Sequence, residues 1–249
     1  MSVFVSRVSF FAAALVVLVL TIRGAPAQNA RQDQVGNFDF YVLTLSWSPS
    51  FCEAAAERAG GPTTTQREQC GDRPFHFVVH GLWPQYDRGF PEYCQVPAPR
   101  LNRNIVSSML DLMPSPRLIF HEWDRHGTCS RLGARAYFDN VRRARAVVKI
   151  PEVYLNVQSR LTVTPDDVED AFVKANPGLT RAGIAVACDS RRLNEVRVCM
   201  TKDFKFRDCE ESERRACRRD KLVMPPVRRA SERQGGTAVT ATRLLKSHA

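Results

Sequence analysis

Three features are missing from this 249-residue sequence, and each absence excludes a class of protein. No C-x-x-C pair occurs, and the cysteines are spaced more widely than a structural zinc knuckle requires. No internal repeat is present, which excludes repeat architectures. No apolar run reaches the ~20 residues that span a bilayer, because the longest, residues 9–20, is shorter, which argues against a membrane-spanning protein. These absences favour an ordinary globular domain.

The N-terminal segment predicts export. Arg7 precedes the apolar run, and Ala25-Pro26-Ala27 offers small residues for cleavage. We expect residues 1–27 to be a secretory signal. An uncleaved anchor is the alternative, because Arg23 lies between the run and the cleavage site. In both cases the body of the protein is expected to be periplasmic or secreted, with no membrane association once the signal is removed.

The remaining chain has the length of a single domain with a full core. We assign residues 28–226 to that domain and expect a monomer by default. Residues 227–249 contain arginines, small residues and Gly235-Gly236, so they predict a disordered basic tail.

All eight cysteines follow the signal segment. An even number in an oxidising compartment predicts four disulfides, although the sequence alone does not fix their pairing. The cysteines are Cys52, Cys70, Cys94, Cys129, Cys188, Cys199, Cys209 and Cys217.

The formal net charge is +10, and much of the excess is arginine in short runs. A basic exported protein is attracted to polyanions such as nucleic acids. Solubility is the alternative explanation for the charge, and arginine runs are usually solvated faces. No single arginine of these runs is therefore assigned a phosphate contact.

Apolar patterning predicts an α+β fold with an antiparallel sheet and flanking helices. We expect Gly81 and Pro84 to end the second strand, so that His80 lies at the strand end. The strands are predicted over residues 38–47 (central), 75–80, 183–187 and 195–204, the helices over 105–113, 117–128, 133–150 and from Pro165 to about 175, and loops over 53–69 and 86–103.

Four of the five histidines lie in two short motifs, residues 75–85 and 120–129. Histidine can both accept and donate a proton near neutral pH, so this clustering indicates acid-base chemistry. His76 is interpreted either as a partner of His80 or as a half-buried strand residue. His248, in the tail, has no predicted role.

The second motif predicts a helix with one functional side. At ~100° per residue, the side chains of His121, Glu122, Arg125 and His126 share that side. Trp123 falls outside this arc and is predicted to be a core anchor.

Two other kinds of enzyme are less consistent with these motifs. His126 lies five residues after His121, whereas the zinc motif H-E-x-x-H needs four, so the two rings diverge by ~140° instead of ~40°. A cysteine nucleophile is disfavoured because Cys129 has a disulfide partner available. No metal or cofactor is expected.

Both motifs resemble the two active-site segments of the ribonuclease T2 family of secreted RNA-cleaving enzymes. The first matches over His80-Gly81-Leu82-Trp83-Pro84, and the second over His121-Glu122-Trp123 and His126-Gly127-Thr128-Cys129. A looser resemblance extends from about residue 39 to about residue 226. The family resemblance implies an endoribonuclease that cleaves single-stranded RNA without a metal. Cleavage would proceed through a 2′,3′-cyclic phosphate to 3′-phosphate ends. The resemblance also implies the disulfides Cys52–Cys70, Cys94–Cys129, Cys188–Cys217 and Cys199–Cys209.

The resemblance assigns roles to the five candidate catalytic residues. His126 would be the general base on the ribose 2′-hydroxyl and His80 the general acid to the leaving group. The resemblance identifies these two histidines more clearly than it shows which of them is the base in the first step. Glu122 and Arg125 would stabilise the transition state, and His121 would contact the phosphate or position its neighbours. The family usually has lysine where this chain has Arg125, which keeps the charge but changes its geometry.

The resemblance also suggests how a base is bound. Trp83 would stack on it, as aromatic side chains do in single-stranded RNA recognition, with burial in the core as the alternative. Gln85 and Tyr86 are further candidates for base contacts, as is Tyr93. A basic RNA-binding protein that has lost turnover is the rival function, and the Arg125 change is its only support.

Overall fold

The fold is built on a four-stranded antiparallel sheet and a small second sheet. The computed structural model describes residues 33–59, 66–71, 73–209 and 216–227. The strands in this part of the chain are β1 (Phe40–Trp47), β2 (Phe77–Gln85), β3 (Leu161–Val163), β4 (Ile184–Cys188), β5 (Leu193–Met200) and β6 (Leu222–Met224). The main sheet has the order β2-β1-β5-β4, and β3 pairs with β6.

Helices flank the main sheet. They are α1 (Ser48–Ala59), α2 (Arg67–Cys70), α3 (Arg103–Met109), α4 (Pro116–Arg125), α5 (Ala134–Val147) and α6 (Pro165–Ala175). Short 3-10 helices cover Gly127–Ser130, Glu152–Tyr154 and Arg181–Gly183. The predicted α+β class is therefore confirmed. None of the helices described is long and apolar enough to cross a membrane.

The two faces of the main sheet have different neighbours. Leu43 and Leu45 of β1 are fully buried in the main core, together with apolar residues of the helices. Phe40 and Val42, on the opposite face, form a separate small cluster against Trp83. β1 is the central strand that the sequence predicts, and its second face is free to carry a site.

The strand that contains His80 is longer than predicted. Gly81 and Pro84 were expected to end it, but β2 runs through both residues to Gln85. β2 is an edge strand, and an edge strand tolerates proline because one side of its backbone has no partner strand. The prediction that His80 lies at a strand end is therefore wrong.

A β-bulge determines the direction of the His80 side chain. The pairing of β2 with β1 shifts between Thr44 and Leu45, and His80 is the extra residue at the shift. Strict alternation would place His80 and Trp83 on opposite faces of the sheet. Bulges redirect side chains, and here both residues line the same pocket.

The predicted loop over residues 53–69 is also wrong in part, because most of its first half is helical. α1 includes Ala54-Ala55-Ala56, the residues of highest helix propensity, and has Pro49 in its first turn. Gly60-Gly61-Pro62 favours a loop locally, but this signal does not extend back to the alanines. That stretch lies within residues 60–65, outside the described residues.

The helix predictions are confirmed within a few residues at each end. The Ser115 side chain caps α4 by accepting a hydrogen bond from the Leu118 N–H, and Thr164 caps α6 in a capping box with Asp167. Trp123 is buried and donates its indole N–H to the Pro99 carbonyl at 2.7 Å, as expected of a core anchor.

Four disulfides tie the domain together. They join Cys52 to Cys70, Cys94 to Cys129, Cys188 to Cys217 and Cys199 to Cys209. This is the pairing that the family resemblance implies. The predicted signal, residues 1–27, and all but the first residue of the predicted tail lie outside the described residues.

Candidate active site

A pocket lies on the second face of the main sheet, where α4 packs beside β2. β1, β2, β5 and α4 contribute most of its lining. The lining residues are Phe40, Val42, His80, Trp83, Gln85, Phe90, His121, Glu122, Arg125, His126, Glu195 and Arg197.

The pocket brings together the five candidate catalytic residues, which come from two motifs about 40 positions apart. Trp83 and Gln85 also line it, but the Gln85 side chain is buried and donates to the Pro84 carbonyl. Tyr86 is not a lining residue and packs against the main core. Tyr93 is exposed and lies outside the lining.

His80 is held between two carboxylates. Its Nδ1 lies 2.5 Å from Oε1 of Glu195, and its Nε2 lies 3.5 Å from Oε1 of Glu122. Burial lowers the pKa of His80, but the hydrogen bond to Glu195 and the two negative charges outweigh burial and raise it above its ordinary value. His80 is therefore suited to carry a proton at neutral pH.

Glu122 is almost fully buried beneath the pocket. Its Oε2 accepts a hydrogen bond of 2.7 Å from the Trp83 indole N–H, and its Oε1 has no hydrogen-bond partner in the described part of the chain. Burial is the main cause that raises the pKa of Glu122 to about 7. This carboxyl group is consequently protonated in part of the molecules near neutral pH.

His126 is in the opposite electrostatic state from His80. It follows the last residue of α4 and is 5% exposed, and its Nδ1 has no hydrogen-bond partner among the described residues. Burial, followed by the positive charges of Arg125, His80 and His121, lowers the pKa of His126 to about 2. His126 is therefore neutral at neutral pH.

Arg125 supplies positive charge at the rim of the pocket. Its Nε and one terminal nitrogen lie 2.8 and 2.7 Å from Oε2 of Glu92. The N–H of Tyr93, the residue after Glu92, donates to the Arg125 carbonyl. The Cys94–Cys129 disulfide joins the loop that contains Glu92 to the segment that follows α4. The role of Glu92 could not be predicted from the sequence, because this residue lies in a loop 33 positions from its partner.

His121 is exposed at the same rim. Burial of part of its ring and the nearby charge of Arg125 lower the pKa of His121. Trp83 lies between the two other histidines, with ring centroids 5.4 Å from His80 and 5.2 Å from His126. The Arg197 guanidinium lies 5.4 Å from the Trp83 ring centroid. Three side chains thus approach the indole, and stacking of a base on Trp83 stays a prediction.

Glu195 and Arg197 were also missed by the sequence analysis. The strand that contains them was predicted, but neither of these two charged residues was assigned a role in the site. Glu195, Arg197 and Cys199 alternate along β5 and so share one face. Two charges on one face of an otherwise apolar strand were the available signal.

Gly81 allows the close approach of β2 to α4. A Cβ atom at Gly81 would overlap the Glu122 carboxylate and the Trp83 indole nitrogen. No comparable obstacle exists at Gly133, where a Cβ would have no neighbour within 4 Å.

Gly81→Ala is therefore expected to lower the free energy of unfolding by about 1–3 kcal/mol, because the added methyl group displaces two hydrogen-bonded side chains. Denaturant titration followed by circular dichroism measures the effect. Gly133→Ala is the matched control and should cost less than about 1 kcal/mol. Equal stability of Gly81→Ala and the wild type would contradict the packing described here.

In the described ranges, no group of three or more His, Cys, Asp or Glu side chains is placed to hold a metal ion. The ionisable groups of the pocket instead contact one another and the Trp83 indole.

Comparison with known proteins gives one family. The model of the family described as "Ribonuclease T2 family" matches residues 38–209. A probable ribonuclease of Haemophilus influenzae is 30% identical over 193 residues, which cover 72% of this chain and 66% of that protein. A ribonuclease of Aeromonas hydrophila is 42% identical over 99 residues, or 40% of this chain and 41% of the relative. Ribonuclease I of Escherichia coli is 24% identical over 234 residues, or 77% and 86% of the two chains.

Solved structures share the fold. An RNase-related protein from Calystegia sepium has a TM-score of 0.61 and 20% identity, with 77% of this chain and 98% of that chain covered. RNase NT in complex with 5′-AMP has a TM-score of 0.54 and 23% identity, with 76% and 98% covered.

Proposed function

Because this chain belongs to the ribonuclease T2 family, we propose that it is an endoribonuclease that cleaves single-stranded RNA with two histidines as acid and base. One observation carries the proposal. The pocket holds two histidines whose surroundings shift their pKa values in opposite directions, so that His80 is protonated and His126 is neutral at the same pH. Groups with opposed shifts of this kind are suited to the roles of acid and base.

RNA supplies its own nucleophile, the 2′-hydroxyl beside each phosphodiester. Neutral His126 takes the proton from this hydroxyl while the 2′-oxygen attacks phosphorus. The bond from phosphorus to the 5′-oxygen breaks, and His80 gives its proton to that oxygen. The products are a 2′,3′-cyclic phosphate and a free 5′-hydroxyl. In the hydrolysis of the cyclic phosphate to a 3′-phosphate the two histidines exchange roles, so that His80 accepts a proton from water and His126 donates one to the 2′-oxygen.

Glu122 and Arg125 stabilise the charge on the phosphate. An ionised carboxylate would repel that charge, but the raised pKa of Glu122 keeps part of the population neutral, and its Oε1 accepts no hydrogen bond from the described residues. The protonated carboxyl group can donate a hydrogen bond to a phosphate oxygen. Arg125 provides a permanent positive charge, and the exposed His121 is a further donor at the rim.

The pH dependence of kcat/KM tests this assignment. Activity requires neutral His126 and protonated His80. Because the pKa of His126 is lowered and that of His80 is raised, activity should stay high through the mildly acidic range. It should fall as pH rises through the raised pKa of His80. A rate that continues to increase into the alkaline range would contradict the role of His80 as acid.

Arg125 is expected to contribute mainly through its charge. Removing one group that stabilises a transition-state anion costs about 10²–10³-fold in rate, so we expect a loss near the lower value for Arg125→Met. Arg125→Lys should retain activity within about tenfold, because the charge stays although the double contact with Glu92 does not. Initial rates on a short RNA measure both effects.

Arg142 provides a matched control for these variants. It also pairs with a carboxylate, Asp111, at a surface position outside the pocket. Arg142→Met should leave kcat/KM unchanged. A similar loss in Arg142→Met and Arg125→Met would show that general charge, and not the position of Arg125, assists the reaction.

We also propose that the protein acts outside the reducing cytoplasm. Four disulfides persist in an oxidising compartment, and residues 1–27 have the pattern of a secretory signal. The expected location is the periplasm or the medium, and the expected state is monomeric.

A further inference from the structure

Glu195 connects His80 to an arginine on the same sheet. Its Oε1 is 2.5 Å from Nδ1 of His80, and its Oε2 accepts two hydrogen bonds from Arg197, at 2.7 and 3.1 Å. Both oxygens are thus engaged, and the Glu195 side chain is only 13% exposed. The carboxylate is fixed between a histidine on β2 and an arginine on its own strand.

This contact crosses the central strand. β1 lies between β2 and β5, so the two partners belong to strands roughly 10 Å apart. Where the contact passes over β1, Ser46 pairs with Glu195 and Thr44 pairs with Arg197. Their short side chains leave room that the larger residues nearer the start of β1, Phe40 and Val42, would fill.

We propose that Glu195 is a positioning residue for the reaction of His80, and that Arg197 holds Glu195 in place. The proposal rests on the function proposed above. With Nδ1 bound to Glu195, the ring is kept in one orientation, and Nε2 is the nitrogen that faces Glu122 and the substrate. A carboxylate that binds one ring nitrogen fixes the tautomer, makes the other nitrogen more basic and stabilises the protonated ring, so that His80 keeps the proton it is to deliver.

The charges around the pair agree with this role. Burial raises the pKa of Glu195, but the hydrogen bond to His80 and the charges of His80 and Arg197 lower it to about 2, so Glu195 is an anion. Besides Glu195, His80 experiences the negative charge of Glu122 and the positive charge of Arg197. The charge of His80 in turn lowers the pKa of His121 and of His126, on α4 and at its end. Glu195 is the group in hydrogen-bond contact with its ring.

Glu195→Gln tests the proposal in two ways. The amide keeps the size of the side chain but removes the charge. By NMR titration of the histidine rings, the pKa of His80 should fall by about one unit or more. In kinetics, kcat should fall by about 10–100-fold with KM little changed, and the alkaline limb of the pH profile should move to lower pH. His80→Ala identifies the ring signal of His80.

Glu169→Gln is the matched control. Glu169 also has a side chain that is 13% exposed and pairs with an arginine, Arg181, but it lies on α6 and is not a pocket residue. This variant should change neither the His80 titration nor the pH profile, whatever it does to stability.

The outcomes separate the two proposals. An active Glu195→Gln enzyme with the wild-type kcat and pH profile would overturn the positioning role and leave the ribonuclease function intact. An unchanged His80 titration would overturn it too, even without kinetics. A wild-type protein that cleaves no RNA would overturn the function, and the positioning role with it, although the NMR titration would still report the contact.

Discussion

His126→Ala is expected to lower kcat/KM for RNA cleavage by about 10²–10⁴-fold, the usual contribution of a positioned acid-base group. The neutral ring of His126 is the proposed acceptor of the 2′-hydroxyl proton. Its Nδ1 has no partner within the described residues, so removal of the ring leaves no other group unpaired there. The effect should therefore appear in catalysis more than in folding. Initial rates with a short single-stranded RNA measure it.

His80→Ala is expected to lower kcat/KM by a similar factor. The kcat/KM of the double variant should be only slightly lower than that of either single variant. Residues that act as a unit in one step are strongly non-additive. His76→Ala is the control, because His76 is a partly buried histidine outside the pocket whose Nδ1 accepts the Phe77 N–H. Retention of more than a tenth of the activity by His126→Ala would contradict its role as base.

A single 2′-deoxy substitution in the RNA substrate should reduce cleavage at that position by at least as large a factor. If the nucleotide whose 3′-phosphate is cleaved lacks its 2′-hydroxyl, the attacking oxygen is missing, and cleavage at that position should be undetectable. DNA should not be cut for the same reason. Binding should be retained in part, because phosphate and base contacts do not need the hydroxyl. Gel analysis of an end-labelled oligonucleotide shows the result.

The same substitution one nucleotide further along provides the control. A 2′-deoxy nucleotide on the 3′ side of the cleaved bond leaves the nucleophile in place, so cleavage there should continue. Cleavage at a bond that lacks the neighbouring 2′-hydroxyl would show that water or a protein side chain attacks phosphorus, contrary to the proposed mechanism.

The family and the helix that carries the second motif could be predicted from sequence because their signals are local. His121, Glu122, Arg125 and His126 lie within six positions, and helical geometry alone places them on one side. The family prediction is confirmed by the match over residues 38–209. The start of α6 at Pro165 is equally local and is also confirmed, with Thr164 as its cap.

Long-range contacts could not be predicted in this way. The orientation of His80 depends on a one-residue shift in strand pairing, and neither its position in the strand nor its direction follows from Gly81 and Pro84 alone. Glu195 is 115 positions from His80, and Glu92 is 33 positions from Arg125. Such partners are identified only when the strand order and the loop path are known, because no local pattern joins them.

The two-histidine mechanism is tested by identifying the ends of the products by mass after incubation of the oxidised protein with a short single-stranded RNA in excess chelator. The proposed mechanism gives 2′,3′-cyclic phosphate and 3′-phosphate ends with the wild type and intact RNA with His126→Ala. Products with 5′-phosphate ends, or a loss of cleavage in chelator that added metal restores, would contradict it. Bound but intact RNA with the wild type would instead identify an RNA-binding protein without turnover.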